Sequence, residues 1–330
     1  MVFQFSKSLL LKARYSSVTV IAPARLHMGF IDLSGALGRY FGSIGVALKE
    51  IQTEISIGVT GHAQPGGMAS ERAWQCCELL CRELGVSQPL QLHVKTAIPE
   101  HVGLGSGTQM ALAIGMGLNH LYGLELSIRE IAQLTERGKR SGIGIGVFEL
   151  GGLVVDGGRG VHTITPPLIV HMEVPGDWRF ILVFDQRGQG LHGDQEIRAF
   201  KRLPPFPQQE TARLCYLLMM QGLPALAEQE IEPFGEVITE LQRSVGEHFA
   251  AAQGGVFASP EVGKVMHWLQ QHGAVAIGQT SWGPTGFCAM AGIERVESLA
   301  RQAREKFACF STLSIVTASA RNSGGEVTGY

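Results

Sequence analysis

Residues 99–115 read PEHVGLGSGTQMALAIG. Before them, QPLQLHVKTAI (88–98) places Leu90, Leu92 and Val94 at a period of two, which predicts a strand, and Pro99 closes it. After them, the run from Thr108 to Tyr122 predicts a helix that stops at Gly123. Between a strand and a helix, a glycine loop lets consecutive backbone N–H groups face an anion, and the helix start adds partial positive charge. The loop 102–109 is therefore a candidate phosphate cradle built on Gly103, Gly105, Ser106, Gly107 and Thr108. Ser106 can offer a hydroxyl to a magnesium ion, and Thr108 can cap the helix or touch phosphate. A plain glycine-rich turn is the bland alternative. It is not a Walker loop, because no lysine follows at that spacing.

Outward from this loop, strands and helices alternate. SVTVIAPARL (17–26), SIGVALKEI and TEISIGV (within 43–59) have strand patterns, and ASERAWQCCELLCRELG (69–85) has helical periodicity. Ser127 and Glu130 form a capping-box signature for a further helix. Past Pro166-Pro167 come a strand (179–185), a helical region (209–250), a helix (259–273), a strand pair around QTSWGPTG, a helix (294–306) and a strand (311–319). This order predicts an α+β fold. A loose tail (1–16), a first domain (17–165) and a second (166–330) are expected.

The 330 residues suffice for about two domains, and 45% hydrophobic with 17% charged residues is a globular composition. Net charge is −2 and no basic run exists, which argues against nucleic-acid binding. No apolar window approaches the length of a membrane span, and the N-terminus carries no convincing secretory signal, so the cytoplasm is expected. Six cysteines form no CxxC; Cys77 and Cys81 read as part of a buried helix face. GQGLHG (188–193) satisfies GxGxxG, but LPPFPQQETARL follows it where a Rossmann unit needs a second strand. The sequence holds no HExxH and no GxSxG.

The loop resembles the central motif of the GHMP kinase superfamily, in which a proline and three residues precede GLGSS and a small-residue helix. Here Gly107 replaces the second serine. APARLHMGFIDLSGALGRYFGSIGVAL (22–48) resembles that superfamily's first motif, and GQTSWGPTGFCAM (278–290) its last glycine-rich loop. The resemblance implies a ribosomal-protein-type α/β domain, a ferredoxin-like domain and a site between them. ARLHMGFIDL, GLGSGTQ, RGKRSGIGIGVFELGGLVVDGG, DQRGQGLHG with Glu196 and Phe200, and QTSWGPTGF are similar to one branch, the β-ribofuranosylaminobenzene 5'-phosphate synthase family. Membership implies joining phosphoribosyl pyrophosphate to 4-hydroxybenzoate or 4-aminobenzoate with loss of carbon dioxide and pyrophosphate, early in methanopterin synthesis. It also implies magnesium and a homodimer.

One departure supports that branch. The kinases keep a Ser-Gly-x-Asp loop whose aspartate takes a proton from an alcohol; here Ser141-Gly142-Ile143-Gly144 places a glycine at that position. Glycine accepts no proton, and a pyrophosphate-releasing condensation needs no alcohol deprotonation. The expected roles follow. Arg25, His27 and Asp32 form a catalytic cluster in the first motif, Arg25 clamping a carboxylate or phosphate. Ser106 and Glu136 are the magnesium ligands. Ser281, Trp282 and Thr285 line the last loop, Trp282 stacking on the aryl ring. Arg140, Arg187, His192 and Arg321 are candidate phosphate or carboxylate binders. A kinase using Glu149 as its base and a non-catalytic ligand sensor are the competing readings.

Overall fold

A computed structural model describes residues 11–61, 64–67, 70–187 and 203–330. His192, the GQGLHG stretch, Glu196 and Phe200 lie outside the described residues. The first sheet contains β1 (Ser17–Asp32), β2 (Phe41–Val59), β3 (Gln64–Gly67), β4 (Leu90–Thr96), β5 (Leu153–Asp156), β6 (Leu168–Met172) and β11 (Glu326–Gly329). The second contains β7 (Trp178–Asp185), β8 (Val275–Gln279), β9 (Thr285–Ala291) and β10 (Leu313–Ser319), in the order β10-β7-β9-β8. All pairs in this second sheet are antiparallel, the ferredoxin-like arrangement.

The two strands expected within 43–59 are one strand, β2, broken only in register. Pro23 pairs with Gln52 but Ala24 pairs with Leu48, so residues 49–51 bulge. A bulge changes which face a strand presents. Accordingly Val18, Val20 and Ala22 of β1 pack in one core, while Ala24, Leu26 and Met28 pack in another. The first core lies under α1 (Ser70–Leu84) and α2 (Ser106–Tyr122). α2 begins two residues before the expected Thr108. α3 (Ile128–Leu134) starts on the predicted capping box of Ser127 and Glu130.

The first sheet also draws strands from beyond residue 165. β6 pairs with β5, and β11 pairs with β1 at the chain's end. Residues 11–16 are anchored as well: Leu11 and Ala13 join the α1/α2 core, and the Arg14 amide donates to the Leu121 carbonyl at 2.7 Å. They are no loose tail, because the apolar groups and the amide find partners.

After β7 the chain forms α5 (Gln208–Leu217), a π-helical segment (Leu218–Gly222), α6 (Leu223–Ala227) and α7 (Ile231–Gln253). On α7, Phe234, Ile238, Leu241, Val245 and Phe249 recur at helical spacing and are buried in the core shared by both sheets. Each such side chain contributes about 1.5–3 kcal/mol on burial. The helix thus ties the sheets together and carries His248 and Phe249 toward the seam between them. α8 (Pro260–Gln271) and α9 (Ile293–Lys306) cover the far face of the second sheet.

Candidate active site

Three distant sequence motifs meet at one backbone position. The Gly103 carbonyl accepts from Arg25 Nη1 and from Thr280 Oγ1, both at 2.9 Å. The Thr280 hydroxyl oxygen in turn accepts from the His27 amide at 3.0 Å, and the Arg25 amide donates to Leu104 at 3.1 Å. Gly103 and Gly105 have φ of +83° and +80°, the left-handed region, and a Cβ on Gly103 would overlap the Thr280 carbonyl. Glycine is required there because the two loops touch backbone to backbone. α2 then starts at Ser106 with Gly105 at its N-cap position and no side-chain cap. Thr108 does not cap it; it is the third helical residue.

A cavity of about 180 Å³ opens on this loop, lined by Gly103, Gly105, Ser106, Gly107, Thr108, Ser281 and Trp282, and also by Arg72, His101 and Arg137. Ser281 and His101, at its edges, hold left-handed backbone, φ +57° and +60°. Such strained residues concentrate at ligand sites. Glu136, the expected magnesium ligand, is not in the lining. Its side chain is 75% exposed and pairs with Lys139 at 2.9 Å. Its neighbour Arg137 faces the cavity instead. Among the described residues no group of three or more His, Cys, Asp or Glu can hold a metal ion. Ser106 remains as a hydroxyl, but the lining includes no carboxylate. These residues do not fit a protein-held magnesium site.

The loop that departs from the kinase pattern packs closely against α2. α4 (Ile143–Glu149) begins at the altered loop. Gly144 lies buried against α2: a Cβ there would stand 3.0 Å from Thr108 Cγ2 and 3.6 Å from Gln109 Nε2. Gln109 donates to the Gly144 carbonyl at 2.7 Å. Asp156 braces the loop from behind. Its carboxylate accepts from the Gly142 amide (2.8 Å), the Gly158 amide (2.8 Å) and Ser141 Oγ (3.3 Å). Burial nevertheless pushes its pKa up to about 6, outweighing those hydrogen bonds. Glu149, the alternative base, sits at the far end of α4 facing Arg129 at 3.7 Å.

A second cavity, about 490 Å³, is lined by Leu33, Ser34, Tyr40, Phe41, Arg140, Leu203, Pro204, Pro205, Phe206 and His248. Its walls are aromatic and apolar, with one guanidinium and an imidazole whose pKa burial lowers. Arg140 thus belongs here, away from the glycine loop. A band of rings runs between the two cavities: Phe41 on Phe30 (centroids 5.6 Å), Phe30 on Phe249 (6.4 Å) and Phe249 stacked on Trp282 (4.2 Å). Trp282 is buried in this band, so its expected stacking face is occupied by Phe249.

His27 is 2% exposed and lines a small space of about 20 Å³ shared with Ser281 and Phe249. Burial, then the Arg25 charge, lowers its pKa well below the usual imidazole value, so it is neutral. Nδ1 accepts from the Gly29 amide at 3.2 Å, which assigns the proton to Nε2; that buried atom has no hydrogen-bond partner. Asp32 is a turn brace: its Oδ1 accepts from Ser34 (2.8 Å from the amide, 2.7 Å from the hydroxyl) and from Thr211 Oγ1 (3.2 Å). Thr285 is fully buried in β9 and lines neither cavity. Arg187 pairs with Asp185 and Glu261, and Arg321 with Glu326, all away from both linings. Thr280, Arg72, His101 and Arg137 were not legible as site residues. Thr280 and His101 carried a signal, as neighbours to the two glycine-rich loops.

The GHMP kinase N-terminal domain model matches residues 71–152 and the GHMP kinase C-terminal model residues 223–309. Homoserine kinase from Cytophaga hutchinsonii superposes with a TM-score of 0.69 at 15% identity, covering 97% of this chain and 100% of that one. Mevalonate diphosphate decarboxylase from Staphylococcus aureus gives 0.66 at 15%, covering 95% and 98%. These likenesses show the fold. The beta-ribofuranosylphenol 5'-phosphate synthase of Archaeoglobus fulgidus is 32% identical, over 92% of this chain and 97% of the relative. That of Methanothermobacter thermautotrophicus is 30% identical over 79% of this chain and 85% of the relative, and that of Methanocaldococcus jannaschii 33% over 67% and 75%. The shared GHMP architecture and these likenesses, each over two thirds or more of the chain, agree: the chain belongs to the beta-ribofuranosylphenol 5'-phosphate synthase family of the GHMP kinase superfamily.

Proposed function

We propose that this protein is a decarboxylating phosphoribosyltransferase. It joins phosphoribosyl pyrophosphate to 4-hydroxybenzoate or 4-aminobenzoate, in the early methanopterin pathway. The bond from the sugar's anomeric carbon to pyrophosphate breaks. The ring carbon bearing the carboxylate forms a bond to the anomeric carbon, and carbon dioxide leaves so that the ring regains aromaticity. The observation that carries this reading is that the described residues lining both cavities include no Asp or Glu. A kinase acting on an alcohol needs such a base; this condensation does not.

In this reading the glycine-loop cavity takes the diphosphate through the start of α2 and Ser106. The 490 Å³ cavity takes the aryl acid, its ring among Tyr40, Phe41 and Phe206 and its carboxylate on Arg140. Arg25 acts by bracing Gly103, and neutral His27 by offering its Nε2 proton to a polar group under the ring band. Magnesium enters only as a complex with the diphosphate, with Ser106 among the hydroxyls that line the cavity. A cytoplasmic homodimer belongs to the same reading. The free cysteines fit a reducing compartment, and exposed Tyr216, Met219 and Met220 offer apolar surface to a second copy. No helix among the described residues is long and apolar enough to cross a membrane.

The test incubates the protein with phosphoribosyl pyrophosphate, magnesium and either benzoate, counting pyrophosphate and trapped carbon dioxide in parallel. Equal release of both, abolished in Ser106→Ala, is expected. ATP turnover with a small alcohol, without either release, would overturn it.

A further inference from the structure

The glycine-loop cavity has more positive charge than a neutral cradle needs. Arg72, from the first turn of α1, and Arg137, from just beyond α3, both reach it. They converge over Gly107: a Cβ on that residue would lie 2.6 Å from Arg72 Nη2 and 3.4 Å from Arg137 Nη1. Arg72 is partly offset by Glu100 at 2.7 Å. Arg137 has no carboxylate of its own within ion-pair distance among the described residues, and its buried Nε has no hydrogen-bond partner. Burial, with the Arg72 charge adding to it, pushes the Arg137 pKa down. Two like charges brought together, one of them half-buried and held by no direct ion pair, are costly unless an anion joins them.

Gly107 makes the convergence possible. It stands where the superfamily motif has a second serine, and a Cβ there would displace the Arg72 guanidinium and touch that of Arg137. The trade is coherent with the absence of a carboxylate in the lining.

We infer that Arg72 and Arg137 form a two-guanidinium clamp on the diphosphate above Gly107, holding its charge with side chains where a carboxylate-held metal would otherwise do so. The clamp deepens the function proposed above and rests on it for the identity of the anion. Planar guanidiniums suit this task because each presents paired N–H donors to phosphate oxygens. Their role is to bind the leaving group, so they touch substrate.

The test measures binding of inorganic pyrophosphate by calorimetry, with magnesium and with EDTA, for the wild type, Arg72→Gln, Arg137→Gln and Gly107→Ala. Wild-type binding that persists in EDTA, weakened about 10- to 100-fold in each variant, is expected. Gly107→Ala keeps both arginines and meets only their flexible ends, so its loss cannot be laid to a missing charge or an unfolded core. Affinity equal to wild type in both arginine variants would overturn the clamp, as would wild-type binding that vanishes in EDTA or is absent altogether. The synthase reading is judged separately: wild-type pyrophosphate and carbon dioxide release decides it whichever way the binding experiment falls. Pyrophosphate binding without turnover would leave the clamp standing and remove the synthase.

Discussion

The two cavities are built by opposite means. The glycine-loop cavity is a backbone object: left-handed glycines, a helix start and two loops in main-chain contact, with arginines arriving from α1 and α3. The second is a side-chain object, walled by aromatic rings and prolines around one guanidinium. The contrast suits the two kinds of ligand proposed. A diphosphate is small, highly charged and read by N–H donors. An aryl acid needs area for its ring and one cation for its carboxylate. The strip from Arg140 to Gly144 borders both, since Arg140 lines the aromatic cavity and Gly144 abuts Thr108 of the other.

The sharpest way to break the backbone-built cavity is Gly103→Ala. It forces a Cβ into the Thr280 carbonyl at a φ of +83°. Stability should fall by about 2–4 kcal/mol and kcat/KM by more than about 100-fold. Urea unfolding and pyrophosphate release would measure both, and a wild-type-like variant would mean the loops do not meet as described.

The strip between the cavities is tested by pH. The Asp156 carboxyl has a folded pKa of about 6, above its value in an unfolded chain. An acid raised in this way favours the fold below its unfolded pKa and loses that contribution as pH rises through the folded one. Stability relative to Asp156→Asn should therefore drop by about 3 kcal/mol between about pH 4 and pH 6.5. Unfolding of both proteins across that range isolates the residue from other carboxylates. Parallel curves would show that Asp156 is not desolvated.

The side-chain-built cavity is tested by Arg140→Gln. KM for 4-hydroxybenzoate should rise about 10- to 100-fold, while pyrophosphate affinity stays near wild type. Equal losses for both ligands would erase the division between the cavities. The smallest effect belongs to Glu136→Gln. Its carboxylate points to solvent with Lys139. Turnover titrated with magnesium should match wild type; a displaced magnesium curve would restore Glu136 as a ligand.

Much of this was legible in advance for a physical reason. Strand alternation before Pro99, the glycines of 103–107, the capping box at Ser127 and the glycine at 144 are local patterns, and local patterns fix local backbone. The order of three motifs was enough to place the fold, since the second half follows the ferredoxin-like element order. Spacing alone does not tell a buried strand residue such as Thr285, or a turn brace such as Asp32, from a ligand. Arg72 reads as an ordinary helix-start residue; nothing near it in the chain mentions a loop some thirty positions away.

By itself, then, the sequence determined the glycine loop between a strand and a helix, the α+β order and the glycine at 144. Only the tertiary structure decided which charges serve the loop. Glu136 and Arg137 are chain neighbours of opposite sign. Glu136 adopts a left-handed φ of +55°, and a single residue's turn of the backbone sends one side chain to solvent and the other to the cavity. Such a choice is set by how α1, α2 and α3 cross, through packing between residues far apart in the chain, and sequence spacing carries no record of it.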